Sequence, residues 1–441
     1  RVLLPRLSRI ERIAWSAGLG FALLSFPSFV VSYLLGVHLG LPTLCIVAGV
    51  ISLGSVGVRW RWAKELDGLG GADDFSPSHR SQALGLGLAA LAAVAYLFQY
   101  DSYLFSRGSC FITSIKGMGL PNSWVFEFLR PEWFDPHQRM GNIAALVPFY
   151  GTLGLVGFQA FYVFAAATST LLLYLLVLRT CGKTIIAAVA TGLAMLGPYT
   201  LQVPTADENQ VALLYFLLFL LALSRTEGWW RDPAAGPAEP RPSPGALLLP
   251  LGLAGFFFGL YIGSRHIQIL ALPALLYWFL RVQPRPSRRP AALAFFAPFL
   301  LVVGVWVYHH HAGLGGVFAF ESADVNSTGS LPIPTMLNVP FHPTWVRSPF
   351  APFPTSLHLP LYLIACFGLL ASTVTLMGMV AWLSEGRRRG RFLLLLVVPG
   401  SLLLSLCENW IKPNKMGIAF MFLPVAGLAF ARGGVLLLER R

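Results

Sequence analysis

Apolar runs follow one another along this chain, and nearly every charge is confined to the short intervals between them. A helix needs about 20 apolar residues to cross a bilayer. Read at that scale, the sequence offers twelve stretches, near residues 13–35, 41–58, 84–99, 153–178, 185–200, 210–224, 246–263, 267–280, 291–308, 357–383, 392–407 and 417–438. Runs this many and this long cannot share the core of one globule. Composition agrees, with 56% apolar and 12% charged residues, against about 25% charged in an ordinary soluble domain. The expected fold is therefore all-α and polytopic, with about 12 transmembrane helices. An even number of crossings places both termini on one side.

Which side follows from the basic residues, because Lys and Arg are retained on the cytoplasmic face. Counted on alternate sides, 23 of the 32 fall with the N-terminal tail, "RWRWAKELDGLGGADDFSPSHR", "RTCGK", "RTEGWWRDPAAGPAEPRPSPG", "RVQPRPSRRP", "SEGRRRGR" and the terminal "ERR". Eight fall on the other side, although its loops are longer, and Arg432 lies inside the last run. The first side is read as cytoplasmic, in what is expected to be a bacterial plasma membrane. The net charge of +13 thus reflects topology. Nucleic acid is not an expected partner, since that would need basic residues gathered on a folded polar face. The five cysteines show no CxxC spacing and indicate neither a disulfide framework nor a metal cluster. "RVLLPRLSRIER" before an apolar run would serve as an uncleaved anchor.

The acids distribute differently. Nine of 19 fall on the positive-poor side, and several hug a membrane boundary. Asp207 and Glu208 stand in "TADENQ", directly before an apolar run, and Asp101 stands in "QYDSY", directly after one. A carboxylate is costly in hydrocarbon, so acids at such an edge either face water or belong to a site. The same side carries two long loops, about residues 100–152 and 309–356. The first holds aromatic pieces such as "NSWVFEFLRPEWF" that suit interfacial helices. The second is rich in proline, and chain so irregular must lie over the membrane or line a cavity.

Taken in order, several segments resemble the GT-C class of membrane glycosyltransferases, in particular the bacterial dolichyl-phosphate-mannose-transferase-like family. They are "QYDSYLFSRGSCF" at the head of the first long loop, "GLVGFQAFYVFAAATSTLLLYLLVLRTCGK" ending in a basic, Gly-containing turn, and "TADENQ" in the next outer loop. "GLAGFFFGLYIGSRHIQILALPALLYWFL" and "ENWIKPNKMGIAFMFLPVAGLAF" follow. The resemblance covers roughly residues 84–438 and rests on order and sidedness. It divides the chain into an N-terminal two-helix hairpin with its cytoplasmic loop, 1–83, and a GT-C-like transmembrane domain, 84–441. Two departures stand out: two spans precede Asp101 where the family usually has one, and Asp101 has no second acid beside it.

The resemblance implies a polyprenyl-phosphate sugar donor used on the extracytoplasmic face, with inversion of the anomeric centre and a lipid or glycan as acceptor. No cofactor is fixed by it, and a divalent metal stays open. The chemistry sets its own requirements. The acceptor hydroxyl must lose its proton, so a carboxylate is needed as general base. The leaving phosphate gathers negative charge and needs cations aimed at it, and the polyprenyl chain needs an apolar groove open to membrane lipids. Asp101 is the expected base, with a water-facing helix-end acid as the alternative. Asp207 and Glu208 would position the acceptor or assist the base, or would cap the helix that follows. Arg265 and His266, in the polar break "YIGSRHIQ", would hold the phosphate, since bidentate Arg geometry suits phosphate oxygens. Glu408, Lys412 and Lys415 in "ENWIKPNKMG" join the substrate-binding set, with interfacial anchoring as the alternative for the lysines. His309 to His311 point about 100° apart on a helix and read as a polar cap.

Two other classes compete. A secondary transporter would show repeats and mid-span ionisable residues, whereas the charges here collect at an edge. A catalytically silent GT-C-like subunit of a membrane complex is the third reading, kept open by the lone Asp101 and the added hairpin.

Overall fold

The structure, a computed structural model, describes residues 7–35, 41–61, 75–98, 140–197, 208–226, 244–264, 271–282, 288–314, 358–384, 388–406 and 422–439. They are almost entirely helical, and no strand occurs among them. The helices are α1 (Arg9–Leu35), α2 (Leu41–Arg61), α3 (His79–Phe98), α4 (Met140–Cys181), α5 (Thr184–Leu196), α6 (Glu208–Ser224), α7 (Pro244–Ser264), α8 (Leu272–Tyr277), α9 (Arg288–Leu314), α10 (His358–Ser384), α11 (Arg388–Leu406) and α12 (Phe422–Glu439). A π turn, Trp278–Val282, extends α8.

Each apolar stretch of the sequence thus holds helix, but length separates them. Among the described residues, seven are long and apolar enough to cross a membrane: Arg9–Val31, Leu41–Arg61, His79–Phe98, Gln159–Cys181, Arg288–Tyr308, Cys366–Ser384 and Phe422–Glu439. Four more apolar helices, Thr184–Leu196, Gln210–Ser224, Leu248–Ser264 and Gly390–Pro399, are shorter.

The helices gather into two compact units, one of Arg1–Leu172, Gln210–Arg265 and Arg289–Phe320, the other of Leu173–Asn209, His266–Arg288 and Glu321–Arg441. In the first, α6 is the innermost element. From Val211 to Leu223 no residue is more than 1% exposed, as expected of a helix that is apolar on every face and has no polar stripe to turn to solvent. Gly18 of α1 lies so close to Leu218 that a Cβ there would collide with its side chain. Phe21 stacks on Tyr215 with ring centroids 6.3 Å apart. Moving along α1 thus moves backwards along α6, and the two run antiparallel. Phe216 meets Tyr261 at 5.1 Å and Phe219 meets Phe258 at 5.0 Å, so α7 is antiparallel to α6 as well. Gly255 packs on the Phe295 carbonyl and Gly259 on Val302, which makes α7 and α9 parallel.

The 42-residue helix α4 is not one rod. Phe149 and Phe161 have ring centroids 5.5 Å apart, whereas twelve residues of straight helix rise about 18 Å. The segment around Phe149 therefore folds back on the one that follows, and both rest on Phe21, at 6.0 and 5.5 Å. The sequence at the bend, "PFYGTLGLVG", supplies a proline without an N–H and three glycines, the residues that weaken a helix most. Thr152 Oγ1 donates to the Pro148 carbonyl at 2.7 Å.

In the second unit, glycines let backbones touch. Gly378 of α10 meets the Ala429 carbonyl of α12, and Gly433 of α12 meets the Val374 carbonyl of α10. Gly427 lies against Ala190 and Gly434 against Ile186, so α5 and α12 run antiparallel. Gly182, with φ 64°, occupies the left-handed region where glycine carries no Cβ penalty. Its N–H donates to the Leu178 carbonyl at 2.8 Å and closes α4.

Candidate functional site

The two ends of α6 are tied down by different chemistry. At its C-terminal end Arg225 Nη2 donates to Glu11 Oε1 at 2.7 Å, with the side chains 8% and 1% exposed. The other oxygen of the same carboxylate, Oε2, accepts from the Ser8 N–H at 3.1 Å and from Ser8 Oγ at 2.9 Å. Ser8 and Glu11 are spaced as in a capping box, three residues apart at the start of a helix, so "SRIE" starts α1 and holds the carboxylate that receives Arg225. A buried acid satisfied on both oxygens and paired with an arginine is structural here.

The N-terminal end of α6 is the one that matters for the expected site. Gln210 Nε2 donates to the Tyr96 hydroxyl at 2.6 Å, with both groups buried. Tyr96 is the third residue from the C-terminus of α3, and Gln210 is the third residue of α6. The antiparallel packing of α6 and α7 brings the C-terminal end of α7, Ser264, to this same end of the unit. The exits of α3 and α7 and the entry of α6 therefore share one end.

That end also holds buried polar atoms with no hydrogen-bond partner among the described residues: Gln210 Oε1 and Tyr215 OH on α6, and Ser25 Oγ and Ser28 Oγ on α1. With Phe21 level with Tyr215, the two serines lie on the stretch of α1 that runs on toward the level of Gln210. Ser264 Oγ, by contrast, is bonded to the Leu260 carbonyl at 2.8 Å. Orphaned polar atoms are rare in a packed interior and mark a place where the fold holds polarity for another purpose.

Of the residues the sequence singles out, Asp101, Asp207, Arg265, His266, Glu408, Lys412 and Lys415 lie outside the described residues. Glu208 opens α6, and its side chain too lies outside them. His309 to His311 fall in the last turns of α9. Among the described residues no group of three His, Cys, Asp or Glu is placed to hold a metal. Sequence reasoning missed Tyr96, Gln210, Ser25 and Ser28. The one available signal was proximity, since Tyr96 precedes Asp101 by five residues and Gln210 follows Asp207 by three.

The described residues define a helical protein with seven helices of membrane-crossing length and apolarity. No family model matches the chain, and neither a curated protein nor a solved structure matches it.

Proposed function

We propose that the chain is a polytopic membrane glycosyltransferase of GT-C type, with about twelve crossings, that moves a sugar from a polyprenyl-phosphate donor to a lipid or glycan acceptor on the extracytoplasmic face. The observation that supports this reading is the Tyr96–Gln210 hydrogen bond. An extended chain spans at most about 3.5 Å per residue. Asp101 is then tethered within about 18 Å of Tyr96, and Asp207 within about 11 Å of Gln210, on the same limit. Arg265 follows the last residue of α7 directly. Chain length alone thus limits how far Asp101, Asp207 and Arg265 can stand from the ends of α3, α6 and α7, and that limit is what supports the reading. Within the first unit the relative directions of α1, α6, α7 and α9 are those of alternate crossings, whereas in the second α10 and α12 run antiparallel and depart from that pattern.

In this mechanism the Asp101 carboxylate takes the proton of the acceptor hydroxyl. The hydroxyl oxygen bonds to the anomeric carbon from the face opposite the phosphate, the carbon–oxygen bond to phosphate breaks, and polyprenyl phosphate leaves with the electron pair. Arg265 and His266 neutralise the departing charge, while Asp207 and Glu208 orient the acceptor. Glu408, Lys412 and Lys415 complete the substrate-binding set.

The experiment is incorporation of radiolabelled sugar from synthetic polyprenyl-phosphate sugars into proteoliposomes holding the wild type or Asp101→Asn. Incorporation by the wild type and its loss in the variant are expected. Equal incorporation removes Asp101 as base, and none from any donor in either favours the silent subunit.

A further inference from the structure

At the opposite end of the first unit, α1 and α2 enclose a groove of about 420 Å³ that includes Arg12, Trp15, Ser16, Ser52 and Ser55 in its lining. Its polar equipment is one-sided. Arg12 Nε and Trp15 Nε1 are both buried, and neither has a hydrogen-bond partner among the described residues. Trp15 is only 3% exposed, so water does not serve its N–H from bulk. Three serine hydroxyls add donors, and no acid lines the groove among the described residues. The acid next to Arg12 in sequence, Glu11, is already engaged by Ser8 and Arg225. A buried donor without an acceptor is costly, and a guanidinium beside a second idle N–H fits an anion that brings several oxygens.

The walls say what else the ligand carries. Leu19, Leu23 and Ile51 continue the lining away from Arg12, and α2 is apolar yet only 11% buried over its membrane-length window. Its Val50, Leu53 and Val56 are more than half exposed. A groove with cationic donors at one end, leucines along its length and a bare apolar helix for a rim accepts an amphiphile entering sideways. Arg59 and Arg61 in the last turn of α2, with Arg9 at the start of α1, add basic charge at the two helix ends, the arrangement that draws anionic headgroups.

We infer that the α1–α2 groove is a binding site for an anionic phospholipid, whose phosphate accepts from Arg12 and Trp15 and whose acyl chain lies along Leu19 and Leu23. The site is independent of the proposed transfer reaction, whose supporting Tyr96–Gln210 bond lies at the other end of the unit.

Native mass spectrometry of the detergent-solubilised chain tests it, with dioleoyl phosphatidylglycerol titrated against dioleoyl phosphatidylcholine. The phosphatidylglycerol adduct should form at about tenfold lower lipid concentration, and Arg12→Gln should erase that preference, as loss of a charge-assisted hydrogen bond predicts. Arg12→Lys should keep most of it. Ser55→Leu, which fills the groove from α2, should weaken binding of both lipids. Arg80→Gln, an exposed charge on α3 outside the groove, should change affinity by less than about twofold. Equal binding of the two lipids by the wild type overturns the inference, as does an undiminished preference in Arg12→Gln. Displacement of the bound phosphatidylglycerol by inorganic phosphate would overturn it in favour of a soluble anion.

Discussion

Gln210 donates its side-chain amide to the Tyr96 hydroxyl at 2.6 Å, across 114 residues of chain. The bond joins the helix end that leads to Asp101 to the helix start that carries Glu208. Both groups are buried, where a polar group without a partner is penalised by about 1–3 kcal/mol.

Tyr96→Phe removes the acceptor and strands the Gln210 amide, and should destabilise the protein by about 1–3 kcal/mol. The double variant with Gln210→Leu removes both polar groups and should recover much of that loss. Thermal melting of all four proteins in one detergent gives the coupling, and additive losses would show that the bond contributes nothing.

Removing either member of the Glu11–Arg225 pair leaves an unpaired charge in a buried setting, which costs about 3–5 kcal/mol. Arg225→Ala and Glu11→Ala should each lower the melting temperature sharply. Glu11→Ala should be the worse of the two, because it also strips Ser8 of its acceptor. Combining them should cost less than the two losses added together, and a melting series reads this directly.

Glycines in the helices should respond to alanine according to what they face. At Gly255 a Cβ would meet the Phe295 backbone carbonyl, which cannot step aside, so Gly255→Ala should cost about 1–3 kcal/mol. At Gly18 it would meet the end of the Leu218 side chain, which can change rotamer, and the cost should be smaller. At Gly192 nothing lies within 4 Å, and alanine should stabilise α5 by about 0.5–1 kcal/mol through helix propensity. The order of the three melting temperatures is the test.

If Asp101 is the base, Asp101→Asn should lower sugar transfer by about 10²–10⁴-fold, the usual worth of general base catalysis, while donor binding is kept. Arg265→Gln should instead weaken donor binding and turnover together. Initial rates against donor concentration separate the two outcomes.

The helices were legible in the sequence because hydrophobicity alone marks them: the run at 41–58 becomes α2, Leu41–Arg61. What the runs did not reveal is which helices reach membrane length. The run at 210–224 ends at Ser224 as expected, yet it forms the buried centre of a unit, and a helix sheathed by others carries the same apolar pattern as one in lipid. The bend of α4 had a local signal in Pro148 and the glycines that follow it, but the apolar run at 153–178 begins past that proline, so hydrophobicity alone left the first arm of the helix out. For the candidate site, the acids could be listed from their position at apolar edges. The bond that draws two of their flanking helices together could not, because nothing local in "VAYLF" or "ENQVAL" announces a partner so far along the chain.

The Glu11–Arg225 pair also dictates an order of events during synthesis. Glu11 leaves the ribosome 214 residues before the arginine that neutralises it. Until then the carboxylate has its Ser8 bonds, within its own turn of α1. The packing of α1 is thus provisional until translation has passed the end of α6.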